Sequence, residues 1–226
     1  MRPIILSTIL AASVGPLAAA ETSLTMGMQL EPPHLDPTSA AAAAIDEVVS
    51  ANVFEGLTRF ASDGSILPAL ARTWYVSDDG LEYTFLLKDG VTFHDGSTFD
   101  GEDVKFSLDR ARGEDSSNAQ KALFAGITDV TVLGPLVVRI TLESPNGNLP
   151  FNLAWGDAVI VAPESAETNV SAPVGTGPFT FGRWVKGDSV VLERNPAYWG
   201  TPAQLESAAF KFISDPVAAF SAMMAG

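Results

Sequence analysis

The chain of 226 residues has no cysteine and only two histidines, His34 and His94, and each shortage removes a class of chemistry. Without thiols there is no disulfide framework, thiolate nucleophile, iron–sulfur cluster or cysteine-held zinc, and no cysteine to carry a lipid anchor. Two histidines make a multi-histidine metal cage a poor expectation. Positive charge is scarce as well. Thirteen Lys and Arg stand against 27 Asp and Glu, a formal charge of −14, which argues against a nucleic-acid partner because basic side chains must displace the counterions around phosphate. The sequence contains no H-E-x-x-H, G-x-S-x-G or P-loop motif and no fixed-period repeat. We therefore expect no catalytic residues, no metal and no cofactor. What is present is globular in composition, 46% hydrophobic and 18% charged, and suits one large domain or two small ones.

The first twenty residues read as a cleavable signal peptide. Arg2 gives a basic start, Ile4 to Val14 an apolar stretch, and Ala18-Ala19-Ala20 a small-residue cleavage site before Glu21. The stretch is shorter than the roughly 20 apolar residues that span a bilayer, and no later run approaches that length. The expected product is exported to the periplasm, not lipid-anchored and not embedded in the membrane.

Farther on, Leu24 to Leu30 alternates as a strand does, and Pro32, Pro33 and Pro37 force an extended turn. Apolar residues at 45, 48, 49, 53 and 57 predict a helix from about Ala41 to Glu55, stopped by Gly56. A β-rich block follows, punctuated by Asp63-Gly64, Asp79-Gly80, Asp89-Gly90 and Asp95-Gly96. Asp100 to Asp103 opens a helix with acidic residues in its first turn, and Ile127 to Leu133 with Leu136 to Leu142 predicts a hairpin. Phe151 to Trp155 is an apolar helix or turn, followed by an expected strand at Val159 to Val161. Strands are expected again at Phe179 to Trp184, Ser189 to Glu193 and Ala208 to Ile213, and a helix near Asp215 with Pro216 at its first position. His94-Asp95 with Asp100, Glu102 and Asp103 reads either as an acid–base or metal cluster or as a turn and a helix start, and the second explains it without function. Gly175-Thr176-Gly177-Pro178 reads as a tight turn rather than a phosphate loop, because Pro178 lacks a donor and a strand follows.

Eight segments in order carry a resemblance. They are Leu35-Asp36-Pro37; Val53 to Thr58; Asp63-Gly64 with Pro68 to Ala71 and Trp74; Gly80 to Phe85; Gly90 to Gly96; Phe99, Asp103-Val104 and Phe106 to Leu108; Gly175 to Phe179; and Arg194-Asn195 with Tyr198 to Gly200. Together they resemble the extracellular solute-binding proteins of family 5, the peptide, nickel and oligosaccharide receptors of ABC importers. The resemblance implies an α/β fold, the first lobe of a two-lobed periplasmic binding protein (type II-like, cluster C), with a mixed sheet and an inserted antiparallel β-rich subdomain. It divides the chain into a signal peptide (1–20), a first segment of lobe I (21–56), the insertion (57–160) and a second segment of lobe I (161–226). Family chains run on for roughly another 250 residues, a domain of ordinary size, so the expectation is a chain without the second lobe that binds weakly by itself.

The function implied is capture of an oligopeptide or similar solute for delivery to an ABC permease of the inner membrane. Nickel chelate, opine and oligosaccharide stay open as ligands, and a periplasmic hydrolase or a single-lobe structural or partner-binding protein are the other classes. By the same resemblance the expected ligand-binding residues are Ala41, Ala42 and Ala43, whose small side chains let backbone approach a ligand, and Trp155, Gly156 and Asp157, which wall a cleft. Alanine also suits a plain helix start, and Trp155 a plain core filler. Glu55 reads as a loop anchor, and Tyr198-Trp199 as packing under the sheet.

Overall fold

The computed structural model describes residues 22–40 and 42–225, so the expected signal peptide and Ala41 lie outside the described residues. Along the chain come β1 (Ser23–Met28), α1 (Ala43–Val49), and a short hairpin of β2 (Thr58–Phe60) and β3 (Ile66–Pro68). Next are β4 (Ala71–Val76), β5 (Glu82–Leu87), α2 (Gly101–Arg112), β6 (Ile127–Gly134) and β7 (Val137–Leu142). After α3 (Leu149–Asn152) the chain forms β8 (Phe179–Val185), β9 (Ser189–Arg194), β10 (Ser207–Phe212) and α4 (Pro216–Ala225).

The strands gather into two four-stranded sheets. One is mixed, ordered β1-β10-β9-β8, with β1 parallel to β10 from Ser23↔Ser207 to Met28↔Phe212 and the other pairs antiparallel. The other is antiparallel, ordered β4-β5-β7-β6. Its inner face follows the two-residue period: Tyr83, Phe85 and Leu87 on β5 and Val138, Ile140 and Leu142 on β7 are buried. α2 lies across β6 and β7 and buries Val104, Ser107, Leu108 and Ala111. Asp100 caps it, accepting from the Glu102 amide while Asp103 accepts from the Asp100 amide at 2.8 Å, a capping box built from aspartates.

Each sheet has its own apolar core. One contains only residues from Leu57 to Ala162; the other joins Met28 to Phe54 with Val159, Val161, Ala166 and the strands from Val190 to Phe210. Between them, Val159 and Val161 face one core while Ile160 and Ala162 face the other.

Two sequence expectations are corrected. The helix expected from Ala41 to Glu55 ends at Val49: Ser50 is extended, Ala51 is left-handed at φ 57°, and Ser50 forms a bridge to Phe54. Val53 and Phe54 continue the helical spacing only because the turn folds both into the core. The strand expected at Val159 to Val161 is a single bridge, Gly56 to Val159, in an otherwise irregular extended segment. Ser107 holds it from the other side, its Oγ accepting from the Val161 amide at 2.9 Å and donating to the Val161 carbonyl at 3.1 Å.

Candidate functional site

α1 is alanine-rich at its start and buries Ala44, Ile45, Val48 and Val49, which leaves Asp46 on its partly exposed side. Opposite it runs the turn Trp155-Gly156-Asp157, set after α3 and held by Asn118, whose Nδ2 donates to the Asp157 carbonyl at 2.8 Å. The two segments meet at Gly156. A Cβ there would lie 2.7 Å from Asp46 Oδ1 and 3.2 Å from Ser50 Oγ, so glycine is what lets the carboxylate come this close. The expected residues Ala42 and Ala43 are thus within one helical turn of a side chain that touches the expected Trp155–Asp157 turn, and Ala41 lies outside the described residues.

The electrostatics are uncompensated. Burial, and then the neighbouring Asp157, push the Asp46 carboxyl up to about 6, and burial raises Asp157 as well. Among the described residues no Lys or Arg is ion-paired with either, and neither carboxylate accepts a hydrogen bond from another residue. Beside them an aromatic group is open to solvent: Trp155 is 42% and Phe151 41% exposed. With Phe60 they form a triangle of edge-on rings, centroids 5.2 to 6.1 Å apart. Trp155 is therefore a surface side chain rather than core filler. Asp46, Ser50, Phe60 and Phe151 escaped the sequence reading, and the spacing of the chain gave no sign that they converge.

Other singled-out residues hold the frame. Glu55 accepts from the Tyr198 hydroxyl at 2.8 Å, the Trp199 indole at 2.8 Å and the Thr176 hydroxyl at 2.9 Å. Burial pushes its carboxyl above the usual range, and these donors and Lys88 draw it back. Lys88 in turn sits 3.9 Å from the Trp199 ring centroid. Glu55 is thus the anchor its position suggested, and Tyr198 and Trp199 are its donors as well as packing. Gly175-Thr176-Gly177-Pro178 is a turn pressed on the backbone of residues 52–54, with the Gly177 amide donating to the Val53 carbonyl at 2.9 Å. Added Cβ atoms would stand 2.0 Å from Val53 O at Gly175 and 2.3 Å from Asn52 O at Gly177. His94 completes this latch. Its Nδ1 accepts from the Gly175 amide at 3.3 Å and Nε2–H donates to the Gly177 carbonyl at 3.0 Å, the tautomer this geometry assigns. Burial lowers its pKa, and both ring nitrogens are engaged by backbone.

Known proteins share this architecture. The family described as bacterial extracellular solute-binding proteins, family 5 Middle, matches residues 65–226. A protein named glutathione-binding protein GsiB from Pectobacterium atrosepticum is 36% identical over 188 residues, 80% of this chain and 36% of its own length. Its namesake in Salmonella typhi is 32% identical over 205 residues, 88% of this chain and 39% of its own. The chain thus spans well under half the length of these curated relatives. Among solved structures, the binding protein AgaA in complex with agropinic acid superposes with a TM-score of 0.85 at 29% identity, over 90% of this chain and 42% of that one. The ABC transporter-associated periplasmic binding protein DppA from Helicobacter pylori, in complex with a peptide, gives 0.82 at 26% identity over 90% and 45%.

Proposed function

Because the chain belongs to the extracellular solute-binding proteins of family 5, we propose that it acts in capturing an oligopeptide or similar small solute for delivery to an ABC permease, without covalent chemistry. The solute lies against Ala41, Ala42 and Ala43, the last of which opens α1, and against Trp155, Gly156 and Asp157. The observation that carries this placement is the contact of Asp46 with Gly156, which brings the two segments to one surface with an exposed indole at its edge. The division at residues 56 and 160 belongs to the same reading and is supported by the two separate apolar cores. Export to the periplasm through cleavage after Ala20 completes it. Among the described residues no helix is long and apolar enough to cross a membrane.

The relatives' names and complexes point to short peptides and opines as first candidates. Amide NMR of the chain, titrated with reduced glutathione, a tetrapeptide and agropinic acid, tests the placement. Shifts confined to residues 42–50 and 155–157 are expected with at least one of them. Saturable shifts that spare both segments, or no shift at millimolar solute, overturn it.

A further inference from the structure

The loop between β7 and α3 carries a dipeptide found nowhere else in the chain: Asn146 is the one asparagine followed by glycine. An asparagine carboxamide can close a five-membered imide with the next backbone nitrogen, a reaction that a following side chain hinders and glycine does not. The fold leaves the pair free to react. Gly147 is exposed, no atom lies within 4 Å of where its Cβ would stand, and among the described residues its amide donates to nothing. The Asn146 Oδ1 accepts from the Asn148 amide at 3.0 Å, closing a ring that encloses the Gly147 nitrogen and polarising the carboxamide carbonyl. The other asparagines are placed differently. The amides after Asn52, Asn148 and Asn152 are held by the carbonyls of Val49, Asn146 and Leu149, Asn118 and Asn169 are buried, and Asn195 precedes a proline.

From this arrangement we infer that Asn146 and Gly147 are a site of spontaneous self-modification, at which the chain rebuilds its own backbone as isoaspartate. Hydroxide takes the Gly147 amide proton, the nitrogen attacks Asn146 Cγ, and the Cγ–Nδ2 bond breaks, ammonia leaving with a proton from water. Water then opens the imide. Breaking the new bond to Cγ yields Asp at position 146, whereas breaking the bond between the α-carbonyl and the Gly147 nitrogen yields isoaspartate, with the chain running through Cβ. Water and hydroxide are the co-reactants. The consequence reaches α3, because the α-carbonyl of Asn146 accepts from the Tyr83 hydroxyl at 2.9 Å and from the Leu149 amide at 3.2 Å. In the isoaspartate form that carbonyl becomes a pendant carboxylate and the backbone gains a carbon, so the first turn of α3 loses its tether. α3 carries Phe151, which packs on Phe60 and Trp155. The inference stands independently of solute capture.

The test is to age the 226-residue chain at mildly alkaline pH and body temperature and map it by mass spectrometry with electron-transfer fragmentation, which tells isoaspartate from Asp. Asn146 should be modified ahead of every other asparagine, with isoaspartate outweighing Asp and a rate that rises in proportion to hydroxide. Gly147→Ala, whose added Cβ meets nothing, should slow the reaction by roughly tenfold or more while circular dichroism and the urea midpoint stay those of the parent. Modification led by another asparagine, a folded rate roughly tenfold or more below the rate in urea, or Gly147→Ala reacting as fast as the parent overturns the inference. Amide hydrogen exchange reads the effect on α3 in the isoaspartate fraction, separated by its added charge. Leu149 and Leu153 should exchange faster there than in Asn146→Asp, which carries the same charge on an ordinary backbone, and equal exchange overturns the link to α3.

Discussion

Single side chains in this molecule divide into those that satisfy one another and those left facing solvent. Glu55 is the clearest of the first kind. Glu55→Ala strips an acceptor from Tyr198, Trp199 and Thr176 at once, so we expect a loss of about 3 kcal/mol or more in urea unfolding. Glu55→Gln, which keeps an acceptor oxygen, should lose less. Gly177→Ala meets backbone rather than a movable side chain, since its Cβ would lie 2.3 Å from Asn52 O. It should destabilise by at least the roughly 1–3 kcal/mol of ordinary overpacking, read as a fall in the urea midpoint. Asp46 belongs to the second kind. With burial and Asp157 both opposing its charge, Asp46→Asn removes a penalty, so the variant should be more stable than the parent at pH 7, read as a rise in the urea midpoint.

At the scale of elements, the ends of helices are where sequence and structure part. Ala51 ends α1 in the left-handed region at φ 57°, a place glycine takes at no steric cost. Ala51→Gly is expected to stabilise by a few tenths to about 1 kcal/mol, the steric relief exceeding the added chain entropy. Asp100→Ala, which removes the cap of α2, should cost about 1 kcal/mol. Both are checked by denaturant titration. The strands were legible in the sequence because Asp-Gly and Gly-Pro pairs punctuate them and their apolar residues alternate. The end of α1 was hidden because Val53 and Phe54 keep helical spacing while being buried for another reason. The run at 159–162 misled for a related cause: apolar on both faces, it lies between two cores and needs no ladder. Of the expected site residues, Trp155 to Asp157 rest on family likeness alone, whereas Asp46 and Ser50 meet Gly156 only through a contact across more than a hundred residues.

For the whole molecule, pH sorts the buried charges into opposing groups. The Asp46 and Asp103 carboxyls are each raised to about 6, mainly by burial, so the folded chain holds protons that the unfolded chain releases near pH 4. Their contribution is complete below pH 4 and is lost as pH rises through about 6. His94, lowered by burial, acts the other way, its contribution complete above about 6.5 and lost as pH falls. Urea midpoints should therefore fall between pH 4 and 6 as pH rises, and Asp46→Asn should flatten that slope. α4 is a separate matter of surface: Val217, Phe220, Met223 and Met224 are 62–73% exposed. Replacing Phe220 and Met223 by Glu should reduce concentration-dependent light scattering. Finally, β1 is paired along its whole length with β10, and Thr22 bonds Glu206 across 184 residues. β1 must wait for a partner 184 residues farther along the chain, so the mixed sheet closes late, whereas the hairpins of the antiparallel sheet pair neighbouring strands and can form early.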